Sequence, residues 1–397
     1  MTMKLRNRLI ALVCLILFLS LGGLIFATSG PKKPFAVILF VADNINPAAL
    51  AAARLYSGGG ESRLQIEEFP NAALCRNSSS DFSVPDTASA STQIACGKKT
   101  PNGKLGIDSE GATLPSLLEV ASLRGRSTAL ITTGGLSAPG AAAFFAKSAD
   151  AANRADLLAQ FGLHAPLDFV AATSSAEDSP KADQLPKETL VARTSAELDA
   201  VPLWKRTPVA ALLPPAKSAR DADSPSLAEL VRTAIRRLQF NGKGYLLVVE
   251  DPSVASAASA NNAEQMLGRI EEFDKAVATA RRYAGENSLI VVTGRENIAG
   301  FQLNGRPFLR DKGVAVLALN NLGYPSICWA TGPGYAVESG DKKKGAPGIL
   351  AQPSAFPLAV GVPTSGDVLT AGYGPGSAEI HGFLDLTDIH RILSDSL

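Results

Sequence analysis

Four short runs of apolar, largely β-branched residues punctuate the chain: Phe35 to Val41, Ser127 to Thr132, Tyr245 to Val249 and Ser288 to Thr293. They lack the alternation of a strand with one wet face and read as strands buried on both faces. Between them, in Thr113 to Leu123, Ser226 to Leu238 and Ala263 to Tyr283, apolar residues recur every three and four positions, the period of a helix with one buried side. Strands alternating with helices predict an α/β fold, a three-layer αβα sandwich around a largely parallel central sheet. Sheets of this kind present their functional groups at the C-terminal strand ends. Those ends here read Ala42-Asp43-Asn44, Thr133-Gly134-Gly135, Glu250-Asp251 and Gly294-Arg295-Glu296. The polar stretch Thr173 to Lys187 reads as a surface loop, and short strands with Gly and Pro turns over 297–352 predict a small inserted accessory subdomain.

The first 29 residues read as an address, ahead of a domain over 30–397. Lys4, Arg6 and Arg8 precede an uncharged apolar run from Ile10 to Phe26, and Ala27-Thr28-Ser29 has the small residues of a signal-peptidase site. A cleaved signal peptide and a retained N-terminal anchor are the two readings. Either implies export, to the periplasm or outside the cell, the second with attachment to the inner membrane.

Composition narrows the chemistry. In 397 residues, 38 Lys and Arg face 37 Asp and Glu, so there is no basic field to hold nucleic acid. Of four cysteines, Cys14 lies in the apolar run; Cys75, Cys96 and Cys328 leave room for one disulfide but make no framework, and no Cys-x-x-Cys spacing occurs. Three histidines, His164, His381 and His390, set a ceiling on any multinuclear zinc centre, which draws on imidazole repeatedly.

Six collinear stretches carry a resemblance: ILFVADNINPA, VPDTASASTQIACGKKTPNGKLGID, SAPGAAAFFAKSAD, DSPSLAELVRTAIRRLQFNGKGYLLVVE, LALNNLGYPSICWATGPGY and GYGPGSAEIHGFLDLTDIHRIL. In that order and spacing the chain resembles the alkaline phosphatase family. The resemblance implies that fold, export and a homodimer. It also implies two zinc ions about 4 Å apart, a hydroxyl nucleophile at a helix start and an oxygen-rich magnesium site. Asp43 matches the carboxylate bridging the zinc and magnesium sites, Thr87 the nucleophile position and Glu250 a magnesium-site carboxylate. An Asp at 43 is otherwise a turn cap, and a Thr at 87 a helix cap.

The remaining ligand positions depart from the pattern. Ala255 and Ser259 stand where the family has Asp and His, Arg295-Glu296 where it has Asp-His, and Pro363 where it has the last zinc His. The other two magnesium-site positions are Ala138 and Gly140. Alanine and proline side chains donate nothing to a metal, and none of the three histidines falls at a site position, so a normal two-zinc centre is not expected. Arg295 puts a permanent cation beside Asp43 and Glu250 and is expected to replace the metal charge with a salt-bridge network. Arg295, Lys147 and the helix start at Thr87 are the features expected to attract a phosphate-bearing or other small anion. The favoured expectation is an eroded phosphatase with a binding or structural role and no cofactor. The alternative is a phosphomonoesterase with one magnesium or manganese ion held by Asp43, Thr87, Glu250 and Glu296.

Overall fold

The computed structural model describes residues 33–164, 166–173, 178–181, 184–215, 224–304, 325–334 and 352–397, with Met3 and residues 11–20 near the N-terminus. It divides into a unit Met1–Lys33, helical over residues 11–20, and a unit Pro34–Leu397. Among the described residues no helix is long and apolar enough to cross a membrane, and Ala27 to Ser29 lie outside them.

The strands of the second unit are, in chain order, β1 (Ala36–Ala42), β2 (Asn71–Arg76), β3 (Ser127–Thr132), β4 (Phe169–Thr173), β5 (Leu190–Ala192), β6 (Val209–Leu213), β7 (Tyr245–Asp251), β8 (Ser288–Gly294), β9 (Asn297–Ile298), β10 (Gln302–Leu303), β11 (Ile327–Gly332), β12 (Ser354–Pro357), β13 (Pro363–Thr364), β14 (Val368–Tyr373) and β15 (Gly382–Asp385). Ten of them form one sheet in the order β15-β2-β14-β8-β1-β7-β3-β4-β6-β5, parallel except for β14. All seven residues of β1, β7 and β8 are buried, as strands covered on both faces require, the polar ends of β7 and β8 included. Successive side chains of β1 enter two cores: Ala36, Ile38 and Phe40 join the helices Pro47–Gly58, Leu227–Leu238 and Ala263–Ala284, whereas Val37, Leu39 and Val41 join Thr87–Cys96, Leu117–Leu123 and Leu386–Ser396. This is the expected sandwich of helix, sheet and helix.

Two element bounds need correction, and the room left for a disulfide is not used. The helix placed over Thr113 to Leu123 begins at Leu117: Ser116 caps it by accepting the Glu119 N–H, Pro115 disfavours helix before it, and Thr113 bridges to Ile107. β7 runs two residues past Val249, so Glu250 and Asp251 are themselves strand residues. Cys75, Cys96 and Cys328 are all free; Cys75 Sγ lies 3.0 Å from Thr370 Oγ1, and burial pushes the Cys75 thiol to about 11 and the Cys96 thiol to about 12.

Of the stretch 297–352, residues 305–324 and 335–351 lie outside the described residues. Its described strands β10 and β11 pair with each other and, through β11, with β12, while Phe301, Ile327 and Trp329 join the main core. Of the expected loop Thr173 to Lys187, residues 174–177 and 182–183 are likewise undescribed.

Candidate functional site

Strand register assembles the site. Val41 pairs with Glu250 and with Thr293, and Thr132 pairs with Glu250, so the C-terminal ends of β8, β1, β7 and β3 stand level in adjacent strands. Asp43 follows β1 directly, Glu250 is the penultimate residue of β7, and Arg295 follows β8. The turn after β1 is tight: Asn44 takes a left-handed φ of 59°, its N–H donates to Glu296 O at 2.8 Å, and its side chain exchanges hydrogen bonds with the Ile298 backbone. That turn holds Asp43 against the start of the segment carrying Arg295 and Glu296.

Arg295, 1% exposed, forks across Asp43: Nε donates to Oδ1 at 3.0 Å and Nη2 to Oδ2 at 2.5 Å. Its Nη1 donates to Glu250 Oε1 at 3.1 Å and to Ser91 Oγ at 3.2 Å. Four of the five guanidinium donors are thereby used within the protein. Burial by itself would lower the arginine's pKa; Asp43 and then Glu250 outweigh it and hold the pKa above the usual value. Burial raises the Glu250 pKa against the opposing pull of Arg295 and of the Thr132 hydroxyl, which donates to Glu250 Oε2 at 2.6 Å.

Thr87 opens the helix Thr87–Cys96, capped by Asp86, whose Oδ1 accepts the Ser89 N–H at 2.8 Å. Ser91, one turn on, lies on the same helix face as Thr87, so the face that meets Arg295 also carries the Thr87 hydroxyl. Glu296 is 1% exposed, and neither carboxylate oxygen has a hydrogen-bond partner of full geometry; Oε2 is 3.8 Å from Arg295 Nε. Burial first and Asp43 second push its pKa up to about 8, against the lowering effects of Arg295 and the Thr87 hydroxyl.

A stability prediction follows. Because the Glu296 pKa is raised from 4.5 to about 8, the folded state holds a proton that the unfolded chain releases. Its contribution is complete below about pH 4.5 and is lost as pH rises through about 8. Thermal unfolding is expected to shift to lower temperature between pH 6 and pH 9, with a slope of at most about 1.4 kcal/mol per pH unit. Glu296→Gln should flatten that dependence, and an unchanged slope in the variant would refute the assignment.

Other expected positions fall as follows. Lys147 does not join Arg295: its ammonium, almost fully buried, lies 2.7 Å from Glu119 Oε1, because the helix Leu117–Leu123 brings that acid beneath it. Ala138 precedes the helix Pro139–Ala142, Ala255 packs against the core, Ser259 Oγ donates to Gly361 O at 2.9 Å, and Pro363 pairs with Ile298 between β13 and β9. Gly140 faces the network: a Cβ there would overlap Glu250 Oε1 and Arg295 Nη1. His390 sits at the far end of the helix that starts at Thr87, its Nδ1 3.0 Å from Ala95 O, and His164 and His381 are exposed. Among the described residues no group of three or more His, Cys, Asp or Glu is placed to hold a metal. The donors present do not fit a two-zinc centre: a guanidinium lies between the Asp43 and Glu250 carboxylates, and the side chains at 138, 140, 255 and 363 offer no electron pair.

Sequence reasoning missed Ser91, Thr132, Asn77 and the role of Gly140. Asn77 Nδ2 donates to Arg295 O at 3.0 Å and braces the backbone that carries the guanidinium. A hydroxyl closing β3 beside Glu250 and a second hydroxyl one helical turn after Thr87 were the available signals for Thr132 and Ser91.

Comparison with known proteins agrees with this architecture. A family model described as alkaline phosphatase matches residues 35–165 and 213–397. The tissue-nonspecific alkaline phosphatase isozyme of Gallus gallus is 25% identical over 426 residues, covering 87% of this chain and 81% of the relative. Alkaline phosphatase 4 of Bacillus subtilis (strain 168) is 26% identical over 287 residues, covering 67% of this chain and 62% of that one. Among solved structures, alkaline phosphatase from the Antarctic bacterium TAB5 superposes with a TM-score of 0.72 at 20% identity, covering 92% and 98% of the two chains. That of Thermus thermophilus gives a TM-score of 0.72 at 18% identity, covering 92% of each.

Proposed function

This chain belongs to the alkaline phosphatase family, and from that premise we propose that it is a member that has given up metal-dependent phosphomonoester hydrolysis and keeps the fold for a binding or structural role. One observation carries the reading: the Arg295 guanidinium bridges Asp43 and Glu250, the carboxylates that match the family's metal ligands. A divalent ion there would meet a fixed positive charge, and Arg295 could leave only by exposing two buried carboxylates to each other. The expected anion site is not favoured, because Arg295 and Lys147 are both engaged by internal carboxylates. The same proposal has the protein exported, on the strength of the charged, apolar and small-residue order of its first 29 residues.

A second reading, a phosphomonoesterase with a single magnesium or manganese ion, is favoured by one feature. Glu296 is a buried carboxylate beside the Thr87 hydroxyl, with no hydrogen bond of full geometry. Metal analysis of the purified protein, together with turnover of an aryl phosphate, decides between the two. The first reading expects no stoichiometric metal, no turnover above buffer and a melting temperature unmoved by chelator. Bound metal together with turnover that disappears in Thr87→Ala would overturn it and establish the second.

A further inference from the structure

At the other end of the sheet, where β3 and β4 begin, lies a half-open cavity of about 190 Å³. One wall, Asp168 and Leu203 to Thr207, comes from residues 166–212, which the family model leaves unmatched; the other, Arg237 to Asn241, comes from the matched body.

Its lining pairs aromatic faces with positive charge. Trp204 is 76% exposed and Phe240 48% exposed, an unusual placement for two large rings beside one recess. Lys205, Arg206 and Arg237 line the same recess, and among the described residues none of them has an ion-pair partner. The acid present, Asp168, already accepts the Thr128 N–H at 2.8 Å. The walls are tied together before any ligand arrives: Arg237 Nη1 donates to Val201 O at 3.2 Å and Arg206 Nη2 to Phe240 O at 3.4 Å, pinning the Trp204 loop to the end of the helix Leu227–Leu238. A recess held open in this way avoids much of the ordering cost of binding.

We infer that this cavity binds a small anion carried on a flat ring, with the ring against Trp204 and Phe240 and the charge directed to Lys205 and Arg206. An aryl carboxylate is the minimal ligand of that class. The volume accommodates one ring and its charged substituent, and aromatic side chains beside cations that have no ion-pair partner among the described residues suit a planar anion better than a neutral or cationic guest. This site lies at the opposite strand ends from Arg295, so the inference stands apart from the proposed function.

The test is titration of the full-length protein with benzoate, read by calorimetry and by tryptophan fluorescence. The chain has two tryptophans and the other, Trp329, is 1% exposed, so a change in emission reports on Trp204. Saturable binding is expected, weakened about tenfold or more in Trp204→Ala, in Lys205→Ala/Arg206→Ala, and when neutral benzamide replaces benzoate. Absence of saturation, equal binding of benzamide by the wild type, or affinity unchanged in both cavity variants would each overturn the inference.

Discussion

Replacing Arg295 by alanine is expected to destabilise the fold by about 3 to 5 kcal/mol, the range for removing one partner of a buried ion pair. The size follows from what is left behind. Asp43 and Glu250 are each 1% exposed, and without the guanidinium they face one another with no water to separate their charges. Against a total stability of about 5 to 15 kcal/mol, such a loss makes partial unfolding at ambient temperature a realistic outcome. Arg295→Lys should recover only part of it, since an ammonium cannot fork across both Asp43 oxygens while reaching Glu250 and Ser91. Adding Asp43→Asn and Glu250→Gln to Arg295→Ala should restore stability by removing the charges that lost their partner. Denaturant titration of the four proteins measures this, and a loss below about 0.5 kcal/mol in Arg295→Ala, the size of an ordinary surface change, would sink the network as a stabilising element.

The second large effect is expected at Gly140, where alanine should cost about 2 to 4 kcal/mol through overpacking and displacement of a buried pair. Its Cβ would overlap both Glu250 Oε1 and Arg295 Nη1. Neither can swing aside cheaply: Glu250 is held by Thr132, and Arg295 by Asp43 and Ser91 as well. Because the overlap is with the guanidinium itself, the penalty should shrink in an Arg295→Ala background. A double-mutant cycle would then show coupling of at least about 1 kcal/mol. Strict additivity would mean that the glycine and the arginine do not share the space assigned to them. The missing side chain at 140 is thus a condition for the placement of the Arg295 guanidinium.

Much of this could be read from the chain before folding. The central residues of β1, β3, β7 and β8 carry consecutive apolar side chains because both faces of those strands are covered. That Asp43, Glu250 and Arg295 come together was legible because each stands at the C-terminal end of such a run. The shorter strands were harder. β14 is antiparallel and ends in Gly372 and Tyr373, and β5 spans three residues; neither has a run long enough to separate from a loop by pattern alone. Lys147 was misplaced because its sequence neighbourhood does not reveal that Glu119, 28 positions earlier, comes to lie within 2.7 Å.

The sequence by itself determined the class of fold, the strand ends at which chemistry would gather, and the absence of donor side chains at 138, 140, 255 and 363. These depend on residue type and local period, which are properties of the chain at short range. The tertiary structure alone decided what the site's charges do: that Arg295 holds Asp43 and Glu250 together, that Ser91 and Thr132 complete its surroundings, that Glu296 is buried with only a long contact to Arg295, and that Lys147 turns to Glu119. Such pairings are set by distance and burial between residues as much as 252 positions apart, and no local pattern encodes them.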